Sequence, residues 1–175
     1  MTSLPSSVAA SAIVDCLDAS GLHHIVTVPD FVQFSVHALL DRRAQFKVIH
    51  CSDENQAIHV AWGLQIGGKR TAVLIQNQGL LNCMNSLRAV GLDAGLPMLL
   101  VVGQFGREFD NVGQDPAQSR RRVVNLVEPM LDVMGIPHWR LDGPQDVGCI
   151  EEAARASVAR HMPAAVLIGH YTGWN

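Results

Sequence analysis

Three unbroken apolar runs, "TAVLIQN" (71–77), "PMLLVVG" (97–103) and "AAVLIG" (164–169), constrain this chain more than any other feature. A run this short, apolar throughout and bounded by turn residues, reads as a strand buried on both faces. "HHIVTVPD" (23–30), "QFKVIH" (45–50) and "PHWRL" (137–141) read as three more short strands. Helical repeats fill the intervals. Residues 6–20 space Val8, Ala12, Ile13, Cys16 and Leu17 at helical period and stop at Gly21. "FVQFSVHALLDRR", "DENQAIHVAWGLQIGG", "LLNCMNSLRAVGLDAG", residues 119–135 and "PQDVGCIEEAARASVARH" continue the alternation. A loop rich in Gly, Asp and Gln spans roughly residues 103–118. Strands joined by helices predict an α/β fold: a doubly wound, mainly parallel six-stranded sheet with right-handed crossovers and helices on both faces. The 175 residues suit a single domain, 1–175, with no linker or internal repeat.

Composition narrows the function classes. The net charge of −3 predicts no general attraction to nucleic acid or to an anionic membrane. The run Arg120-Arg121-Arg122 is too short to reverse that. No stretch is long and apolar enough to span a bilayer, and the first twenty residues lack the basic region and apolar core of a signal peptide. Cys16, Cys51, Cys83 and Cys149 lie far apart, without metal-finger spacing, and read as small buried hydrophobes of a reducing compartment. The expected location is the cytoplasm.

In such sheets ligands bind beyond the carboxyl ends of the strands. That rule places Pro29-Asp30, Cys51–Glu54, Gln76–Asn82 and Gly103–Arg107 on the functional rim, and Lys69-Arg70 on the opposite one. Glu54 stands in the first turn of its helix. There it has two readings: an acidic residue that suits the positive helix end beside a Ser52 or Asp53 cap, or a partly desolvated carboxyl group that shares a proton with a ligand nitrogen. "QNQGLLN" (76–82) is either a plain strand-to-helix turn or a set of backbone N–H donors, and it matches neither GxGxxG nor a P-loop. The eight histidines show no HExxH spacing, there is no GxSxG elbow, and no metal site is expected on this chain.

The order of "VTVPD" (26–30), "CSDENQAIHVAWG" (51–63), "LIQNQGLLNCMNSL" (74–87) and "DPAQSRRRVVNLVEPMLDVMGIPHWRL" (115–141) resembles the pyrimidine-binding (PYR) domain of thiamine diphosphate enzymes. Within that family it is most similar to sulfopyruvate decarboxylase alpha subunits and the N-terminal part of phosphonopyruvate decarboxylases. The resemblance implies that Glu54 meets N1′ of the cofactor's aminopyrimidine and favours the tautomer that deprotonates thiazolium C2, with Pro29, Gly79 and Asn82 also binding the cofactor. It implies decarboxylation of a small 2-oxo acid to CO2 and an aldehyde. Asp30, Gln76, Asn77 and Arg107 are candidates for the substrate pocket. Arg107 is the first candidate for a substrate anion and Arg120–Arg122 the second, although either can be a salt-bridge residue instead. The family holds diphosphate and Mg²⁺ through a GDG motif with a downstream Asn, which this chain lacks. A beta subunit carrying that PP domain is therefore expected, in an α2β2 assembly. One departure is Leu81, which stands in "GLLN" where the family has GLGN; a leucine takes unusual backbone angles less readily than glycine and adds bulk near the cofactor. A carboligase or C–C lyase subunit, and a catalytically silent regulatory domain, remain alternatives.

Overall fold

The computed structural model describes residues 7–174. The chain runs α1 (Ala10–Ala19), β1 (His24–Thr27), α2 (Phe34–Leu40), β2 (Lys47–His50), α3 (Glu54–Ile66), β3 (Thr71–Gln76), α4 (Asn77–Asn82) and α5 (Met84–Ser86). A π-helical segment (Leu87–Asp93), β4 (Met98–Gly103), a 3-10 turn (Pro116–Gln118), α6 (Arg122–Asn125) and α7 (Val127–Val133) follow. The chain ends with β5 (His138–Leu141), a second 3-10 turn (Pro144–Asp146), α8 (Cys149–Arg160) and β6 (Pro163–Ile168).

All six strands pair in parallel, in the order β2-β1-β3-β4-β6-β5. The apolar runs make β3, β4 and β6, which are paired along both edges and covered on both faces, and β1 is the fourth interior strand. Their alternate residues feed two separate cores, as the strand period of two requires. Ala72, Leu74, Leu99, Val101, Ala164 and Val166 face α1, α2 and α8. Val73, Ile75, Leu100, Val102, Ala165 and Leu167 face α3, α4, the π segment and α7. Edge strands β2 and β5 are only partly buried, which fits their mixed sequences "KVIH" and "HWRL".

Several expected helices begin or break elsewhere. The expected start of the first helix at residue 6 lies outside the described residues, and the helix begins at Ala10. The helix expected from Leu80 instead follows β3 directly at Asn77 and becomes a π-helix at Leu87. Residues 119–135 form α6 and α7 rather than one helix. Pro129 is the cause, because its ring has no N–H for an interior turn. Restarting at Val127 puts it in a first turn, where none is required. Residues 144–161 likewise divide into a 3-10 turn and α8. Leu81 lies inside α4, outside the positive-φ region, so "GLLN" asks no unusual backbone angle of it.

Candidate active site

Asp53 is the N-cap of α3, its carboxylate accepting from Gln56 N–H at 3.0 Å. Ser52 strengthens the same turn by donating to Gln56 Oε1 at 3.0 Å. Capping is thus done by the neighbours of Glu54, and its carboxylate accepts no hydrogen bond within the described residues. The side chain is half-buried and lies across Gly79 of α4. A Cβ at residue 79 would overlap Cγ, Cδ and Oε1 of Glu54. The glycine therefore creates the groove that holds the acid. Ala57, Ile58 and Ala61 on the next turns are fully buried against the sheet and fix the helix below it. Cys83 caps the end of α4 and is fully buried. Burial first, then the charge of Glu54, pushes its thiol up to about 12.

Beside this groove the loop after β1 carries a buried polar network. Asp30 is 2 % exposed. Its carboxylate accepts from Val32 N–H (2.8 Å), Gln33 Nε2 (2.8 Å) and Gln76 Nε2 (3.1 Å). Burial raises its pKa above the usual carboxylate value, and these donors oppose the shift. Gln33 also donates to the carbonyls of Ile75 (3.2 Å) and Val101 (3.1 Å), tying the loop across β3 and β4. His37 Nε2 accepts from Asp30 N–H at 3.1 Å, and burial lowers its pKa to about 4. Asp30 and Gln76 are thus brought together at the sheet rim, with Gln76 half-buried and open to it. Asn77 is enclosed and donates to the carbonyls of Phe105 (3.0 Å) and Val123 (2.9 Å), so it anchors α4. Pro29 and Asn82 are exposed on the same rim. Sequence reasoning missed Gln33 and His37. Their signal was the alternation of three polar residues, Gln33, Ser35 and His37, with apolar ones in "FVQFSVHALL".

Arg107 has a different setting. Its side chain is 0 % exposed and pairs with Asp142 through Nη1–Oδ1 at 2.6 Å and Nη2–Oδ2 at 3.0 Å. Nε donates to Asn111 Oδ1 and the remaining contacts go to Gln104 Oε1 and the carbonyls of Asn111 and Gln114. Every donor of the guanidinium is engaged, so the residue clamps the loop after β4 to the end of β5 and has no free N–H for a substrate anion. Of the second candidates, Arg120 is exposed and approaches Glu108 (3.5 Å) and Asp110 (3.6 Å). Arg121 and Arg122 are also exposed.

The rim thus offers a half-buried carboxylate with free acceptor capacity, seated on glycine, next to a hydrogen-bonded acid–amide cluster. That arrangement suits a ligand with a protonatable ring nitrogen. Residues 8–126 match the model for "Thiamine pyrophosphate enzyme, N-terminal TPP binding domain". The chain is 23 % identical over 161 residues to sulfopyruvate decarboxylase subunit alpha of Methanococcus maripaludis, covering 91 % of this chain and 93 % of that protein. It is 28 % identical over 135 residues to the subunit of the same name from Methanocaldococcus jannaschii, covering 77 % of each. In architecture it is similar to 2-oxoglutarate:ferredoxin oxidoreductase of Magnetococcus marinus (TM-score 0.69, 14 % identity), covering 97 % of this chain but 30 % of that one. At that identity the likeness concerns the fold alone. The chain belongs to the family of thiamine pyrophosphate enzyme N-terminal TPP binding domains.

Proposed function

We propose that this chain is the PYR-domain alpha subunit of a thiamine diphosphate-dependent 2-oxo acid decarboxylase of the sulfopyruvate decarboxylase kind, releasing CO2 and an aldehyde. The observation that carries the proposal is Glu54, a carboxylate left free by its own helix cap and held across Gly79. Both named relatives being alpha subunits supports the subunit reading. When bound, thiamine diphosphate supplies the electron sink that loss of CO2 from a 2-oxo acid requires.

The protein's own part is to hold and move a proton. With the cofactor bound, Glu54 would share a proton with the pyrimidine N1′, a role open to a half-buried carboxylate whose acceptor capacity is unspent. Gly79 keeps that groove open, while Pro29 and Asn82, exposed on the rim, would help to hold the cofactor. Asp30 and Gln76, locked by Gln33 and Val32, form the polar wall on the substrate side, with Asn77 holding α4 in register behind them. The chain has no GDG motif. A beta subunit bearing the PP domain therefore holds the diphosphate and Mg²⁺, and the active site forms between the chains in an α2β2 assembly.

The test is reconstitution. Co-purified with a partner that carries GDG and a downstream Asn, the chain should decarboxylate sulfopyruvate only when thiamine diphosphate and Mg²⁺ are both present. Turnover by the chain alone would refute the half-enzyme reading. CO2 release without added cofactor would refute the chemistry.

A further inference from the structure

A cavity of about 580 Å³ lies at the carboxyl ends of β4 and β6, between the loop after β4 and the segment after β6. Its size falls in the range of roughly 300–1,000 Å³ usual for small-molecule sites. The walls are aromatic in a chain with only 5 % aromatic residues. Phe109, His170 and Tyr171 form a ring cluster, with centroids 5.0 Å (Phe109–His170), 5.8 Å (His170–Tyr171) and 6.4 Å (Phe109–Tyr171) apart. Phe105 lines the cavity beside them and is 37 % exposed.

Among the polar groups that line the cavity, Gln104 Nε2 and the Arg121 guanidinium have no acceptor within the described residues. Gln104 is 2 % exposed and lines the cavity. Its Oε1 accepts from Arg107 Nη1 at 2.9 Å, which fixes the orientation of the amide. Its Nε2 is consequently a buried donor with no protein acceptor. Of the five buried polar side-chain atoms without a partner among the described residues, Gln104 Nε2 is the one that belongs to a residue lining this cavity. Arg121 also lines the cavity, and among the described residues no carboxylate pairs with it. Two carboxylates, Glu108 and Asp110, also line the cavity, and both approach Arg120. Glu108 accepts from Ser119 Oγ (2.7 Å) and Arg120 N–H (3.0 Å). Arg107 is neutralised by Asp142.

We propose that this cavity binds a small aromatic monoanion, a carboxylate or sulfonate, whose acid oxygens meet Gln104 Nε2 and Arg121 while its ring stacks among Phe105, Phe109 and Tyr171. The ligand is received at the ends of β4 and β6, whereas Glu54 works beside α4 at the start of α3. The site goes beyond the proposed decarboxylation and does not require it. An aryl acid of this kind comes either from the substrates and products of the enzyme or from a separate regulator.

Calorimetric or NMR titration of the full 175-residue chain tests the site. Benzoate should bind with a Kd on the order of 1 mM, as befits so small a ligand, and benzyl alcohol about tenfold more weakly. Arg121→Gln should weaken benzoate about tenfold. Gln104→Glu keeps the acceptor for Arg107 but replaces the donor with a negative oxygen, and should abolish binding. Phe109→Ala, at an exposed wall, should weaken binding several-fold without changing the melting temperature, which separates loss of the site from loss of the fold. Equal affinity for benzoate and benzyl alcohol would overturn the proposal. So would a benzoate Kd unchanged by both Arg121→Gln and Phe109→Ala. In the complex with the partner, competition by benzoate against the 2-oxo acid identifies a substrate-side ligand, and a change in kcat identifies a regulator. The titration needs neither cofactor nor partner, so its failure leaves the decarboxylase proposal standing.

Discussion

Glu54 and Gly79 work as a pair: one supplies the acid and the other the space in which it lies. A methyl group at residue 79 would occupy the position of the Glu54 side chain. Gly79→Ala should therefore lower turnover of the reconstituted complex by about 100-fold, the scale of loss when a reacting group is misplaced by an ångström. Circular dichroism should show the fold retained, because Gly79 has a helical conformation that alanine favours. A second residue-level outcome concerns Cys83, whose thiol is pushed up to about 12 by burial and by the charge of Glu54. At pH 8 it should resist a disulfide reagent until the chain is unfolded, and rapid labelling of native Cys83 would contradict this packing. Single residues also mark how far sequence reading reaches. Asp53 and Glu54 were legible because a cap and its helix are adjacent in the chain. The role of Arg107 was not, since its partner Asp142 lies 35 residues away.

At the scale of elements, loop β1–α2 and helix α2 form a polar lock on the rim. His37 accepts from Asp30 N–H and stays neutral, its pKa lowered from 6.5 to about 4 by burial first and by His50 second, against a weaker opposing effect of Asp41. As pH falls below 6.5 the unfolded chain takes up a proton that the folded chain refuses. Stability is thus lost through the window from 6.5 down to about 4, by roughly 3 kcal/mol at most. Urea midpoints measured across that window should fall for the wild type and fall less steeply for His37→Gln. The loop after β4 has its own lock in the Arg107–Asp142 pair. Arg107→Met leaves the Asp142 carboxylate with the Gly113 N–H alone among these partners, and should cost about 3–5 kcal/mol in urea unfolding. Element boundaries were harder to foresee than the elements themselves. The six strands were legible because apolar runs need no distant partner to declare themselves. The early start of α4 depends on Asn77 bonding to Phe105 and Val123, and the π segment brings Gly91 against Pro163, contacts that no local pattern encodes.

The whole molecule is a parallel sheet whose two faces are fully used by helices, leaving chemistry to the rim at the strands' carboxyl ends. The rim carries two dissimilar regions: the Glu54–Gly79 groove with the Asp30 cluster, and the aromatic cavity beyond β4 and β6. Six aromatic side chains with large exposed areas (Phe31, Phe34, Phe105, Phe109, Tyr171 and Trp174) belong to the loops and helix start that follow β1, β4 and β6. The sheet followed from the order of apolar runs alone, and the family followed from the order of motifs along the chain. The central claim is that the free carboxylate of Glu54 is the proton-sharing group of a thiamine diphosphate decarboxylase. Its most direct test is the rate of CO2 release from sulfopyruvate by the reconstituted complex carrying Glu54→Gln, with thiamine diphosphate and Mg²⁺ saturating. Turnover should fall by about 10²–10⁴-fold with fold and assembly intact, whereas wild-type turnover in that variant would contradict the account.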